Sequence, residues 1–256
     1  MRPNELAARL AAGAAVVGPL LSFNSPELVE VCGFAGFDFV LIDAEHNLVG
    51  PESCQQLVRA AEVAGLTALV RVPRNDQATI LGFLETGVQG VVVPHVRGAV
   101  DAAAAVAAVK YPPIGRRSAA GSSRPANYGL TQTAGEYFAL ANERTMVIAL
   151  VEEVEGFENL EAIGRTPGID LLFLGDGDLA MDMGRPGQRE HPAVRRVVED
   201  AVVRGRAANL LLGGPATTAA AAGKLVGAGF RFVLVPLAGL FAAPAREVVR
   251  AVRGAG

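Results

Sequence analysis

Tryptophan is absent from this chain, and cysteine and lysine each occur only twice. Cys32 and Cys54 sit in apolar helical patterns with no paired spacing. They read as buried free thiols and offer no disulfide framework. Lys110 and Lys224 also fall in helical patterns, away from expected strand ends, so Schiff-base chemistry has no obvious nucleophile. No apolar run reaches the roughly 18 residues of a membrane helix. No G-x-G-x-x-G opens a helix after the first strand and no Walker motif occurs, so nothing points to a nucleotide. The formal net charge of −3 gives no electrostatic reason to expect nucleic acid. The N-terminus, MRPNELAARLAAG, reads as an amphipathic helix interrupted by charge rather than a signal peptide. These absences are those expected of a soluble, cytoplasmic protein.

What is present is core-forming material, 51% apolar residues over 256 positions, enough for one large domain. Apolar strand patterns alternate with helical ones along the whole length. Strands are expected at Ala15–Leu21, Phe39–Asp43, Thr67–Val72, Gly90–Val96, Met146–Val151, Ile169–Leu174, Asn209–Leu212 and Arg231–Val235. Helices are expected between them, for example from an N-cap at Ser25, over Glu52–Ala64, Gln77–Thr86, Ala99–Val109 and Pro192–Arg204. Eight strands each followed by a helix is the count of a (β/α)8 TIM barrel, spanning residues 1–256 as a single domain. A doubly wound open sheet is the alternative. One segment, 111–144, breaks the rhythm with YPPIGRRSAAGSSRPANYG. Its place before strand five suggests a lid over the barrel mouth.

In a barrel, polar residues just past the C-terminal ends of strands carry the chemistry. Phe37–Val49, FDFVLIDAEHNLV, ends an apolar strand in Asp43, Glu45 and His46, close enough for Asp43 to orient the imidazole. Arg71 lies in an apolar run and needs an anion. His95 follows strand four, Glu152 and Glu153 follow strand five, and Asp176 and Asp178 follow strand six. Singly these fit blander roles: Asp43 and Asp178 as helix N-caps, Glu152 as an acidic first helical turn. Together at adjacent strand ends, the carboxylates suit a hard divalent cation, Mg2+ or Mn2+, with Co2+ or Zn2+ as further candidates.

On these motifs the chain resembles the HpcH/HpaI family of metal-dependent (class II) pyruvate aldolases, which includes 4-hydroxy-2-oxoheptanedioate and 2-keto-3-deoxy sugar-acid aldolases. The resemblance rests on LIDAEHN, RVP, ETGVQGVVVPHV, YPPIGRR, EEVEGFENLEAI and PGIDLLFLGDGDLAMDMG followed by HP. It implies a carbon–carbon lyase joining or splitting a pyruvate-type enolate and an aldehyde. It implies Glu152 and Asp178 as metal ligands, Arg71 on the keto oxygen, and His46, oriented by Asp43, as acid/base. The Gly175–Asp178 turn, including Gly177, would receive the oxo-acid carboxylate. Glu85 stands where the family has an Asp that reaches the acceptor side across a subunit interface, and a homo-oligomer, trimer or hexamer, is implied with it. Leu150, Arg117–Ser118, Asp176–Gly177 and VPLAG after strand eight depart from the family pattern around the acceptor. An oxaloacetate-type decarboxylase or a biosynthetic enzyme with another electrophile is therefore an alternative, and a non-catalytic oxo-acid-binding barrel a second.

Overall fold

The computed structural model describes residues 1–254. Eight parallel strands close into a barrel in sequence order: β1 (Val16–Leu21), β2 (Phe39–Asp43), β3 (Thr67–Arg71), β4 (Gly90–Val93), β5 (Met146–Val151), β6 (Leu171–Leu174), β7 (Leu212–Pro215) and β8 (Phe232–Pro236). The ring closes where β1 pairs with β8, Val16 opposite Phe232. Strands covered by helices outside and filled with side chains inside are apolar on both faces, as the burial of all five β2 residues and all six β5 residues shows.

Alternation along each strand separates two cores. Phe39, Leu41, Leu69, Ile148, Leu150, Phe173, Phe232 and Leu234 fill the barrel interior. Val40, Ile42, Val70, Val147, Ala149 and Leu172 point outward to the helices. The inward series of β2 runs Phe39, Leu41, Asp43; that of β3 runs Leu69, Arg71; that of β5 runs Ile148, Leu150 and, one step past the strand, Glu152. Parity alone therefore brings Asp43, Arg71 and Glu152 into the C-terminal mouth.

The opposite end is plugged by the helix Glu5–Ala11, whose Leu6 and Leu10 join the interior core. Buried Asn4 caps this helix through Ala7 N–H and donates to the carbonyls of Gln89 and Arg144, just before β4 and β5. The insertion 111–144 also sits at this end, which corrects its expected place over the mouth. Arg124 bonds Glu62 and the Thr86 carbonyl, residues at the far ends of helices that lead into β3 and β4. Lys110 donates to the carbonyls of Asn142 and Thr145. The reason is topological: a segment between a helix and the following strand lies at the strands' N-terminal face.

Strand β7 begins at Leu212, three residues after the expected Asn209. The helix Pro192–Ala207 runs further than its pattern suggests, and Asn209 turns the chain at φ 57°, a conformation asparagine tolerates. The LGGP sequence is short of side chains for a steric reason. A Cβ on Gly213 would stand 2.9 Å from the Phe232 ring and 3.1 Å from that of Phe173.

Candidate active site

Arg71 anchors the mouth. Its Nε donates to Asp43 Oδ1 at 3.0 Å and its Nη2 lies 2.9 Å from Asp43 Oδ2, a bidentate fork between neighbouring strands. Asp43 is almost fully buried. Burial opposes its ionisation, but the guanidinium and the amides of the following loop outweigh it and hold its carboxyl below the usual range. Those amides are the N–H groups of Glu45 and His46, at 3.2 and 3.4 Å from Oδ1. Asn47 donates to Oδ2 at 2.6 Å. Asp43 thus ties the backbone of the His46 loop and clamps Arg71; it does not hold the imidazole, as the sequence suggested. The His46 ring is exposed, and its nearest carboxylate is Glu45, with Nε2 3.8 Å from Oε2.

Glu45 itself is turned inward, its side chain only 8% exposed. Its Oε2 lies 3.1 Å from Arg71 Nε, whose hydrogen is directed to Asp43, so this buried oxygen accepts no hydrogen bond. Burial raises its carboxyl above the ordinary value against the pull of Arg71, His46 and His95. Glu152 is buried more deeply. Its Oε1 accepts the His95 backbone N–H at 3.0 Å. Burial, with the nearby charges of Glu45 and Asp178 and a hydrogen bond to Asp178, pushes its carboxyl up to about 8.

Gly175 follows β6 directly, where a side chain would strike Glu152 Cβ at 2.9 Å. The helix Asp176–Asp182 starts there and places Asp178 in its first turn. Gly175 N–H is taken by the Val151 carbonyl, whereas the first-turn amides that follow have no intrahelical partner. Asp176 pairs with Arg189 at 2.6 Å.

The structure therefore gathers Asp43, His46, Arg71, Glu152, Gly175, Gly177 and Asp178 at one end of the barrel. Glu85 is not among them. It caps the end of the helix Gln77–Leu84 at the opposite face and pairs with buried Arg117 of the insertion at 2.9 Å. Two residues that sequence reading left without a role belong to the cluster. One ligand atom each from Glu45, His95 and Glu152 lies within 4.8 Å of the others. Both follow strand ends, and the rule that selected Glu152 applies to them equally.

Comparison with known proteins places the chain in a family. The family description HpcH/HpaI aldolase/citrate lyase matches residues 19–243. The chain belongs to the HpcH/HpaI aldolase/citrate lyase family. It is 34% identical over 241 residues to a 2-dehydro-3,6-dideoxy-6-sulfogluconate aldolase of Pseudomonas putida, covering 94% of this chain and 93% of that protein. It is 36% identical over 197 residues to a hydroxypyruvate/pyruvate aldolase of Sagittula stellata, 77% of each chain. A solved family member from Burkholderia cenocepacia superimposes with a TM-score of 0.92 at 31% identity, over 98% of this chain and 99% of that one. The fold is thus the (β/α)8 barrel of this family, and no helix among the described residues is long and apolar enough to cross a membrane.

The donor set fits the family's divalent metal. The carboxyls of Glu45 and Glu152 converge with His95, one Glu45 oxygen is buried and unbonded, and carboxylate oxygens suit hard cations.

Proposed function

We propose that the chain is a divalent-metal-dependent aldolase, a carbon–carbon lyase acting between a pyruvate-type 2-oxo acid and an aldehyde. The observation that carries this reading is the convergence of Glu45, His95 and Glu152 beside a fixed arginine at the barrel mouth, with the charge of Asp178 near enough to raise the Glu152 carboxyl. Mg2+ or Mn2+ is the proposed ion, held by Glu152 and Asp178; when bound, it supplies a Lewis acid that makes the oxo acid's methyl group acidic.

The protein's own residues do the rest. With Nε and Nη2 of Arg71 fixed by Asp43, no described residue accepts from Nη1, and that edge of the guanidinium is available to the keto oxygen. A positive charge preorganised there favours the oxyanion that develops as the methyl proton leaves. The unpaired amides of Gly177 and Asp178 suit the substrate carboxylate. His46, exposed at the rim beside Glu45, moves the proton at its Nε2 through water to or from the aldehyde-derived oxygen. A Schiff-base route lacks its nucleophile, since Lys110 is committed to two carbonyls at the far face and Lys224 lies on the outer helix Ala219–Ala228.

The enzyme is proposed to work as a homo-oligomer, a trimer or hexamer. The helix Leu237–Arg253 buries none of its residues, although Phe241, Val248 and Val252 are 77%, 63% and 74% exposed. A face of that kind is covered by a neighbour more often than by water. An oligomer would also give the Glu85–Arg117 pair and the insertion a mouth to border, that of an adjacent subunit.

The deciding experiment follows proton exchange at the methyl group of pyruvate in heavy water by NMR, with Mg2+ or Mn2+ and with chelator. Exchange that requires the metal is expected, and Asp178→Ala should abolish both exchange and metal binding while the circular dichroism of the barrel persists. Exchange undiminished by chelator, or full activity in Asp178→Ala, would overturn the assignment.

A further inference from the structure

His95 is held in a way that the aldolase reading does not use. It sits just beyond β4 at φ 55°, a region costly for a residue with a Cβ. Its Nδ1 lies 2.9 Å from Glu153 Oε1, and Arg97 pins that carboxylate through its Nε. With Nδ1 on that carboxylate, Nε2 is the ring nitrogen turned toward the mouth. This is the arrangement in which an outer carboxylate orients a metal-ligating histidine. Nε2 is turned toward Glu45 Oε1 at 3.6 Å. Something positive, a ring proton or a shared cation, fits between those two atoms.

That spacing is too long for a hydrogen bond and lies just above the span of two donors on one ion. Donors each about 2.1 Å from one cation stand about 3.0 Å apart at a right angle and about 3.4 Å apart at the tetrahedral angle. The second carboxylate oxygen of Glu45 is buried and without a hydrogen bond. Glu152 completes the group: its Oε1 lies 3.3 Å from His95 Nδ1, and one ligand atom each from Glu45, His95 and Glu152 lies within 4.8 Å of the others.

We propose that His95 and Glu45 extend the cation site, so that the ion is held by an imidazole nitrogen as well as by carboxylates. The inference rests on the metal-dependent reading above and adds a selectivity to it. A nitrogen donor favours Co2+, Zn2+ and, more weakly, Mn2+ over Mg2+. An all-oxygen site would show far less of this preference.

The test uses the full-length protein stripped of metal and measures ion binding rather than turnover. Asparagine is the replacement of choice, because it tolerates positive φ and keeps the backbone N–H that bonds Glu152. Calorimetric titration should show His95→Asn binding Co2+ about tenfold or more weakly than the wild type, with Mg2+ affinity changed less than about threefold. Spin-echo spectra of bound Mn2+ should show nitrogen modulation in the wild type that is lost in His95→Asn and kept in His46→Asn. Unchanged Co2+ affinity in His95→Asn, or modulation that disappears only with His46, overturns this inference and leaves the aldolase reading intact. A wild type that binds no divalent ion overturns both.

Discussion

Glu152→Gln separates the cost of the site from its use. Unfolded, Glu152 ionises near 4.5; in the metal-free fold, burial among other carboxyls moves it up to about 8. Between those values the native state holds a proton that the unfolded chain has released. Stability therefore falls as pH rises from about 4.5 to about 8, and the stabilising protonated form is complete only below the lower value. Each tenfold change in the proton equilibrium is about 1.4 kcal/mol. A neutral isostere has no such slope, so Gln should exceed Glu by at most about 3 kcal/mol at pH 7 and about 4 at pH 8, falling to nearly nothing at pH 4. The geometry supports the exchange, because the Gln carbonyl can still accept the His95 N–H and its amide can donate to Asp178. For a domain of this size about 3 kcal/mol corresponds to roughly 6–12 °C in Tm. Thermal unfolding in chelator across pH 4–8 gives the measurement. With Mn2+ at one hundred times Kd the gap should nearly close at pH 7 and narrow at pH 8, since only the wild type gains binding energy, about 2.7 kcal/mol. A variant that unfolds at or below the wild-type temperature at pH 8, or a gap that does not change with pH, refutes the reasoning.

Arg71→Lys keeps the charge but loses the fork on Asp43; metal-dependent proton exchange should fall about a hundredfold or more, and urea unfolding should show a loss of about 1–3 kcal/mol. Gly213→Ala drives a methyl into the Phe232 and Phe173 rings and should destabilise the barrel by about 1–3 kcal/mol in the same assay, without altering metal affinity. Phe241→Glu places a charge on the exposed face of the last helix, and sedimentation should then show smaller species than the wild type. An unchanged assembly would mean that this face is not an interface.

The barrel was legible because two-sided apolar strands alternate with helical patterns, and the inner parity of β2, β3 and β5 carries straight into Asp43, Arg71 and Glu152. Two things were not. The insertion was assigned to the wrong face, although a segment that precedes a strand belongs at the strands' N-terminal end. The partner of Asp43 was mistaken as well. Sequence proximity put His46 beside it, but the carboxylate is drawn inward by Arg71 across the β2–β3 pairing, where Asp43 stands opposite Arg71. The imidazole stays exposed at the rim, its Nε2 3.8 Å from Glu45 Oε2. Neighbouring strands compete with neighbouring residues, and for a buried carboxylate the guanidinium wins.

On the proposed reading, the same pairing explains why the mouth suits an ion. Arg71 is matched by Asp43, and Arg97 by Glu153. Glu45 shares Arg71 with Asp43, its Oε2 3.1 Å from Nε, whereas Glu152, with the charge of Asp178 nearby, pairs with no arginine or lysine among the described residues, and burial raises Glu45 and Glu152 against ionisation. A barrel selected only for stability would replace one of them by an amide, as Glu152→Gln does. Retaining Glu45, Glu152 and Asp178 keeps a cavity in which a dication displaces protons, and the charges become compatible only when it arrives. The instability of the metal-free mouth and the proposed chemistry of the loaded one are then two consequences of a single arrangement of carboxylates.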